Sequence, residues 1–221
     1  MVTVSTLNSD VELVCEAITS FQSKHEKRMI VGIAGPPASG KSTLSEAIIN
    51  KINHSCTTSF PTAALLPMDG YHLDNGILAE KKLLDIKGAP HTYNADKFCE
   101  DVNNLPFIKK EVFYPKFDRV LDLAIANSIS VNPKTPIVIV EGNYLLLDQH
   151  PWQTLSNLFD VTVFVAPRHD TLRKRLIDRW RNLGFDEETS VRKVEANDLP
   201  NADLVLQKSR QSDIILSQIV L

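Results

Sequence analysis

The sequence predicts an α/β fold: a five-stranded parallel sheet with helices on both faces. Three observations predict it. Short apolar runs recur at Met29–Ala34, Ala63–Met68, Pro136–Val140 and Val161–Val165, with a fifth inside Gln211–Leu221 that starts near Asp213. Strands covered on both faces read as such unbroken runs rather than as alternating ones. Helical patterns separate most of the runs, which is the rhythm of β–α–β units. A glycine-rich turn also joins the first run to the helix after it.

Taken in order, Ser9 and Glu12 form a capping box that opens a first helix, whose Val11, Val14, Ile18 and Phe21 share one face. The strand Met29–Ala34 leads through the glycine turn into a helix over about Lys41–Lys51. Further helices are predicted over about Asp148–Leu158 and His169–Asn182, and Asn94 or Asp96 is predicted to cap another. Residues 85–131 break the rhythm with turn residues and aromatics. They read as an insertion above the sheet, where substrate-specific parts of such folds lie. No repeat, low-complexity tract or Gly/Ser linker divides the 221 residues, so a single domain spanning 1–221 is expected.

Composition narrows the function. A hydrophobic share of 43%, a charged share of 23% and a net charge of -3 describe an ordinary globular chain. They argue against a constitutive binder of nucleic acid or of a membrane surface. No apolar run nears the roughly 18 residues of a spanning helix, and Asn8, Ser9, Asp10 and Glu12 do not resemble a secretory leader. Cys15, Cys56 and Cys99 are odd in number and far apart, which argues against a disulfide framework or a zinc site. They are expected to be reduced, mostly buried thiols of a cytoplasmic protein. The oligomeric state stays open, a homodimer included.

The turn carries the chemistry. Gly35-Pro-Pro-Ala-Ser-Gly40-Lys41-Ser42 fits G-x-x-x-x-G-K-[ST] between a strand and a helix, the phosphate-binding loop of P-loop NTPases. Glycines let the backbone curl around phosphate oxygens, and amides at the helix start donate to them. Pro36 and Pro37 have no N–H, so the donors are expected from Ala38 onward, chiefly Ser39, Gly40, Lys41, Ser42 and Thr43. The motif predicts ATP and Mg²⁺, with Lys41 on the β- and γ-phosphates and Ser42 on the metal. Glu141 and Asp69 each end an apolar strand expected to flank the P-loop strand, where ligands gather in open α/β sheets. One carboxylate can hold metal and the other can take a proton from an attacking hydroxyl.

Beyond the loop, an ordered set of strings resembles the phosphoribulokinase/uridine kinase family of P-loop kinases. These are GPPASGKST at 35–43, MDGYH at 68–72, KGAPHTYNADKF at 87–98, YPKFDR at 114–119, VEGNYLLLD at 140–148, LRKRLIDR at 172–179 and SRQSDIIL at 209–216. The set is most similar to the pantothenate-kinase-like branch, whose members are often labelled nucleoside/nucleotide kinase family or fructose transport system kinase. The resemblance implies transfer of the ATP γ-phosphoryl to a hydroxyl of a small metabolite such as a sugar, a nucleoside or a pantothenate-like acid. It implies Asp69 as general base, Glu141 in a Mg²⁺ role and an arginine-bearing lid, here over about 168–186. Uridine kinases carry a ribose-binding aspartate just before a His-Pro. The aligned stretch here is Lys87-Gly88-Ala89-Pro90, which with Tyr93 resembles pantothenate kinase instead.

In the lid, Arg175 and Arg179 share a helix face and are the expected phosphate contacts. Candidates for the acceptor pocket are Tyr71, His72, Lys87, Tyr93, Asp118 and Arg119, with His91 as a further one. A polyol needs paired donors and acceptors and an acid needs a cation, and these residues supply both. The alternatives are a nucleotide-driven switch and a nucleotide-dependent regulator without an acceptor. No Asn-Lys-x-Asp guanine reader is present: Asn50-Lys-Ile-Asn53 lacks the Asp and lies in the P-loop helix.

Overall fold

The computed structural model describes residues 6–54 and 60–217, so Cys56 and the end of the fifth predicted strand lie outside the described residues. In chain order the elements are helix α1 (Leu7–Gln22), strand β1 (Met29–Ala34), α2 (Lys41–His54), β2 (Ala63–Pro67), α3 (Asn75–Glu80), α4 (Ala95–Asn104), β3 (Val112–Asp118), β4 (Leu123–Val131), β5 (Ile137–Gly142), β6 (Val161–Val165), α5 (His169–Asn182), α6 (Glu187–Lys193), α7 (Leu199–Lys208) and β7 (Ile214–Leu216). The main sheet runs β2-β5-β1-β6-β7 and is parallel throughout. β3 and β4 form a separate antiparallel hairpin with a register shift at Tyr114/Lys116.

Successive strand residues point to opposite faces, and this splits the core in two. Ile30, Leu66, Val138 and Val140 meet Phe98 and Val102 of α4, Tyr144, Trp152 and Val205 of α7. Met29, Val31, Ile33, Ile137 and Ile139 meet Val14 and Ile18 of α1 and Leu44 and Ile48 of α2. Each such side chain contributes about 1.5–3 kcal/mol by leaving water, so helices are fixed on both faces and the strand ends stay open for ligands.

Three expectations need correction. The first helix opens one turn earlier: Thr6 is its cap, and its hydroxyl and amide exchange hydrogen bonds with Ser9. Glu12 instead pairs with Lys51 of α2. The helix expected over Asp148–Leu158 is reduced to a 3₁₀ turn at Trp152–Leu155. Pro151 explains this, because the residue before a proline is pushed out of the helical region. Finally, β2 is not a neighbour of β1; it pairs with β5, and β6 takes the other side of β1. By contrast, α5 spans the predicted range, and Asn94 caps α4 by accepting the Lys97 amide at 3.4 Å.

Among the described residues no helix is long and apolar enough to cross a membrane. Cys15 and Cys99 are free thiols, and burial pushes the Cys99 thiol up to about 11, which makes it unreactive at neutral pH.

One half-buried cation holds the lower end of the sheet. Arg28, just before β1, donates to the carbonyls of Thr135, Leu105, Asn132 and Pro133. It thereby ties β1 to the turns before β5 and after α4. Arg28→Ala is expected to lower unfolding stability by about 2–4 kcal/mol, since carbonyls lose a charged donor and are left unpaired. A denaturant titration should show the midpoint falling with an unchanged slope, and a shift under ~0.5 kcal/mol would refute the clamp.

Candidate active site

The glycine turn is shaped by close contacts. A β-carbon on Gly35 would sit 2.5 Å from the Val165 carbonyl oxygen and 2.9 Å from Ser39 Oγ, so only glycine fits between β6 and the loop. Ala38 takes a left-handed conformation at φ 60, uncommon for a residue with a side chain and typical of functional turns. The Ser39 amide donates to the Pro36 carbonyl at 3.2 Å and closes the loop on itself. This amends the donor set: Ser39 N–H is already engaged. The amides of Gly40, Lys41, Ser42 and Thr43 have no backbone acceptor among the described residues, and they stand at the positive end of the α2 dipole. Ser39 Oγ is buried with no hydrogen-bond partner among them. Together these donors form an anion cradle.

Beside the cradle, Ser42 Oγ donates to Glu141 Oε1 at 3.1 Å, while Glu141 Oε2 is buried with no hydrogen-bond partner among the described residues. A hydroxyl and an orphaned carboxylate oxygen are hard donors that fit a Mg²⁺ ion, which takes few protein ligands and completes its shell with water and phosphate. Burial raises the Glu141 proton affinity against the opposing pull of Lys41. Burial likewise lowers that of Lys41, with Glu141 and Asp69 acting to keep it charged. Both effects express one thing: a buried cation between two carboxylates.

Asp69 follows β2 in the 3₁₀ turn Met68–Tyr71. A β-carbon on Gly70 would lie 2.3 Å from the Pro115 carbonyl oxygen, so this glycine lets the β3–β4 hairpin press onto the turn. That contact brings Arg119 to Asp69, with Nη2 to Oδ2 at 2.8 Å. Burial alone would raise the Asp69 carboxyl, but His72, Arg119, Lys41 and Arg179 together hold it below the usual carboxylate range. Lys41, Asp69 and Glu141 thus form one electrostatic group, with β5, which carries Glu141, beside β1 as expected and β2, which leads to Asp69, one strand further out.

The other acceptor candidates separate. The Tyr71 ring is in the core against Phe98 and its hydroxyl donates to Asp101 at 2.9 Å. The Asp118 Oδ1 accepts the amides of Val120 and Leu121 and shapes the hairpin turn. The Lys87 ammonium donates to Asn75 Oδ1 and the Asp122 carbonyl, pairs with the Asp122 carboxylate at 2.9 Å and is only 14% exposed. His72 and Tyr93 pack beside the Asp69 turn. The His72 ring packs on Tyr93 and Phe117, and its Nδ1 contacts the Asp69 carbonyl at 2.8 Å. Burial pushes His72 below its ordinary value, so the ring is neutral at neutral pH.

On the lid side, Arg175 Nη1 donates to the carbonyls of Ser39 (3.1 Å) and Ala38 (3.4 Å), so it supports the loop from behind. Arg179, one turn on, lies close enough to Asp69 and Lys41 to perturb both. Residue types alone do not reveal the segment after the lid. A π-helical turn at Val194–Asp198 carries Asn197, whose Nδ2 donates to the Lys87 carbonyl at 2.9 Å, and Asp198, which accepts from Trp180 Nε1 at 2.6 Å. The π-helical turn is thereby hydrogen-bonded both to Lys87 and to Trp180 of α5. Tight polar connections of this kind have no spacing signature.

A parallel sheet with a phosphate-binding loop, and with Glu141 and Asp69 grouped about its lysine, is the arrangement of a P-loop phosphotransferase. Residues 30–219 match the Phosphoribulokinase / Uridine kinase family. A protein of Schizosaccharomyces pombe provisionally named a uridine kinase is 32% identical over 203 residues, covering 89% of this chain and 86% of its own. Pantothenate kinase of Listeria monocytogenes is 29% identical over 177 residues, 77% of this chain but 57% of that enzyme. The crystal structure of a protein from Silicibacter sp. TM1040, provisionally named a fructose transport system kinase, superposes with a TM-score of 0.83 at 33% identity, covering 93% of this chain and 98% of its own. The chain belongs to the phosphoribulokinase/uridine kinase family, and it is an ATP-dependent small-molecule kinase.

Proposed function

We propose that the chain transfers the γ-phosphoryl group of ATP to a hydroxyl of a small metabolite, with Asp69 as general base. The observation that carries this reading is the grouping of Asp69, Lys41 and the Ser42–Glu141 pair at one end of the sheet. Amides from Gly40 to Thr43 and the Lys41 ammonium hold the β- and γ-phosphates. Asp69 accepts the proton as the acceptor oxygen bonds to γ-phosphorus, and the bridging β–γ oxygen leaves with its electron pair in ADP. Arg179 faces the charge that develops on the transferred group, and Arg175 keeps the loop in shape. Ser42 and Glu141 would hold Mg²⁺, which supplies charge neutralisation across the β- and γ-phosphates.

ADP release measured with ATP alone, then with sugars, nucleosides, pantothenate and glycerate, tests the reaction. An acceptor-dependent rise is expected. A rate that no acceptor raises and that Asp69→Asn leaves intact would instead mean a nucleotide-dependent regulator. Glu141→Gln tests the metal position. The Mg²⁺ concentration for half-maximal activity should rise about 10–100-fold, by analogy with the cost of losing a metal-supporting group, with fold retained by circular dichroism. An unchanged Mg²⁺ requirement would move the metal elsewhere.

A further inference from the structure

We propose that Arg119 reads an anionic group on the acceptor, so that the metabolite is a hydroxylated carboxylate or a phosphate ester rather than a neutral polyol; this rests on the kinase reading above. Most of the charged groups on the acceptor side are already engaged within the protein. Of the two cationic acceptor candidates, Lys87 is committed to Asn75 and Asp122, and its carbonyl is held by Asn197. The Asp118 carboxylate is committed to the hairpin turn. The Arg119 guanidinium is bonded to Asp69 through Nη2, and its side chain is 54% exposed. A guanidinium has five N–H donors in a planar fork, so with one nitrogen on Asp69 most of its bonding capacity remains for a ligand.

The Asp69 carboxylate that Arg119 holds is the proposed base. While the guanidinium holds Oδ2, one carboxylate oxygen is spent and the carboxyl is less willing to take a proton. An incoming carboxylate or phosphate can engage the fork through two parallel bonds and outcompete the single bond to Asp69. The same event seats the acceptor and frees the base. A neutral acceptor offers no such exchange. The hairpin also favours the acceptor over ATP as the source of the anion. Arg119 emerges from β3 close to Phe117, which packs on His72, whereas the phosphate cradle has its own charge in Lys41 and the α2 terminus.

Matched acceptor pairs test this: glycerate against glycerol, pantothenate against panthenol, and ribose 5-phosphate against ribose. Each is assayed with ATP in the wild type, Arg119→Gln and Arg119→Lys. The wild type should prefer an acidic member over its neutral partner by at least ~10-fold in kcat/KM. Arg119→Gln should raise KM for that acid about 10–100-fold, the range of a lost charge-assisted hydrogen bond, and erase the preference. KM for ATP should stay within about twofold, and Arg119→Lys should recover part of the loss. If Arg119→Gln instead raises KM for ATP and slows both members equally, the guanidinium serves the γ-phosphate and the proposal fails. Turnover of neutral acceptors with acids idle overturns this proposal but leaves the kinase standing. Idleness of every acceptor, acidic and neutral, overturns the kinase reading and this one with it.

Discussion

Asp69→Asn is expected to reduce acceptor-dependent ADP release by about 10²–10⁴-fold, the usual contribution of a positioned general base, with little change in the KM for ATP. The amide keeps the shape of the carboxylate and can still accept from Arg119 Nη2, so the Met68–Tyr71 turn and the Gly70–Pro115 contact should survive. The pH profile of the wild type adds an independent check. Burial opposes ionisation of Asp69, but the charges of His72, Arg119, Lys41 and Arg179 together outweigh it. A depressed carboxyl is ionised from below its ordinary range upward and is lost as base only when the pH falls through the lowered value. The acid limb of kcat/KM, which reports the free enzyme, should therefore lie below the ordinary aspartate value near 3.9. A limb near pH 6 would assign the base to another group.

Much of this fold is legible in the sequence because burial on both faces leaves a one-dimensional trace. β1, β5 and β6 are unbroken apolar runs, and α5 shows its helical period against the acidic and basic residues around it. The P-loop is legible for a different reason: its chemistry demands particular residues at fixed offsets. Strand order is not written locally, which is why the expected flanking of β1 by β2 fails. The β3–β4 hairpin is harder to read because the alternation of β4 (Leu123, Ile125, Ile129, Val131) is interrupted at Asn127 and faces no continuous core, the strand being exposed along most of its length. Within the site, residue type identifies the charged groups but not their commitments. Lys87, Asp118 and Tyr71 all carry suitable functional groups, and each is occupied by a partner 12 to 35 residues away or by its own turn. Arg119 and Asp69 are 50 residues apart, and the fit of Gly70 under Pro115, with His72 packed on Phe117, makes them neighbours.

Lys41→Met should lower kcat by about 10²–10³-fold or more, the scale of losing one preorganised electrostatic contact to a transferring group. The side chain is nearly buried at the first position of α2, and desolvation disfavours its charge. Glu141 and Asp69 keep it protonated, so the site maintains a cation at some cost. That arrangement suits a phosphate ligand better than it suits the unliganded fold. Methionine has similar length and no charge, and it leaves Asp69 paired with Arg119 and Glu141 bonded to Ser42. The unliganded melting temperature should consequently move little, while the increment produced by saturating ATP and Mg²⁺ should shrink, since that increment follows RT ln(1 + [L]/Kd). Lys41→Arg should fail to rescue, because the larger planar guanidinium has no room where the lysine is 9% exposed. Full activity in Lys41→Arg, or an undiminished ATP increment in Lys41→Met, would show that the phosphates are held by the backbone amides alone.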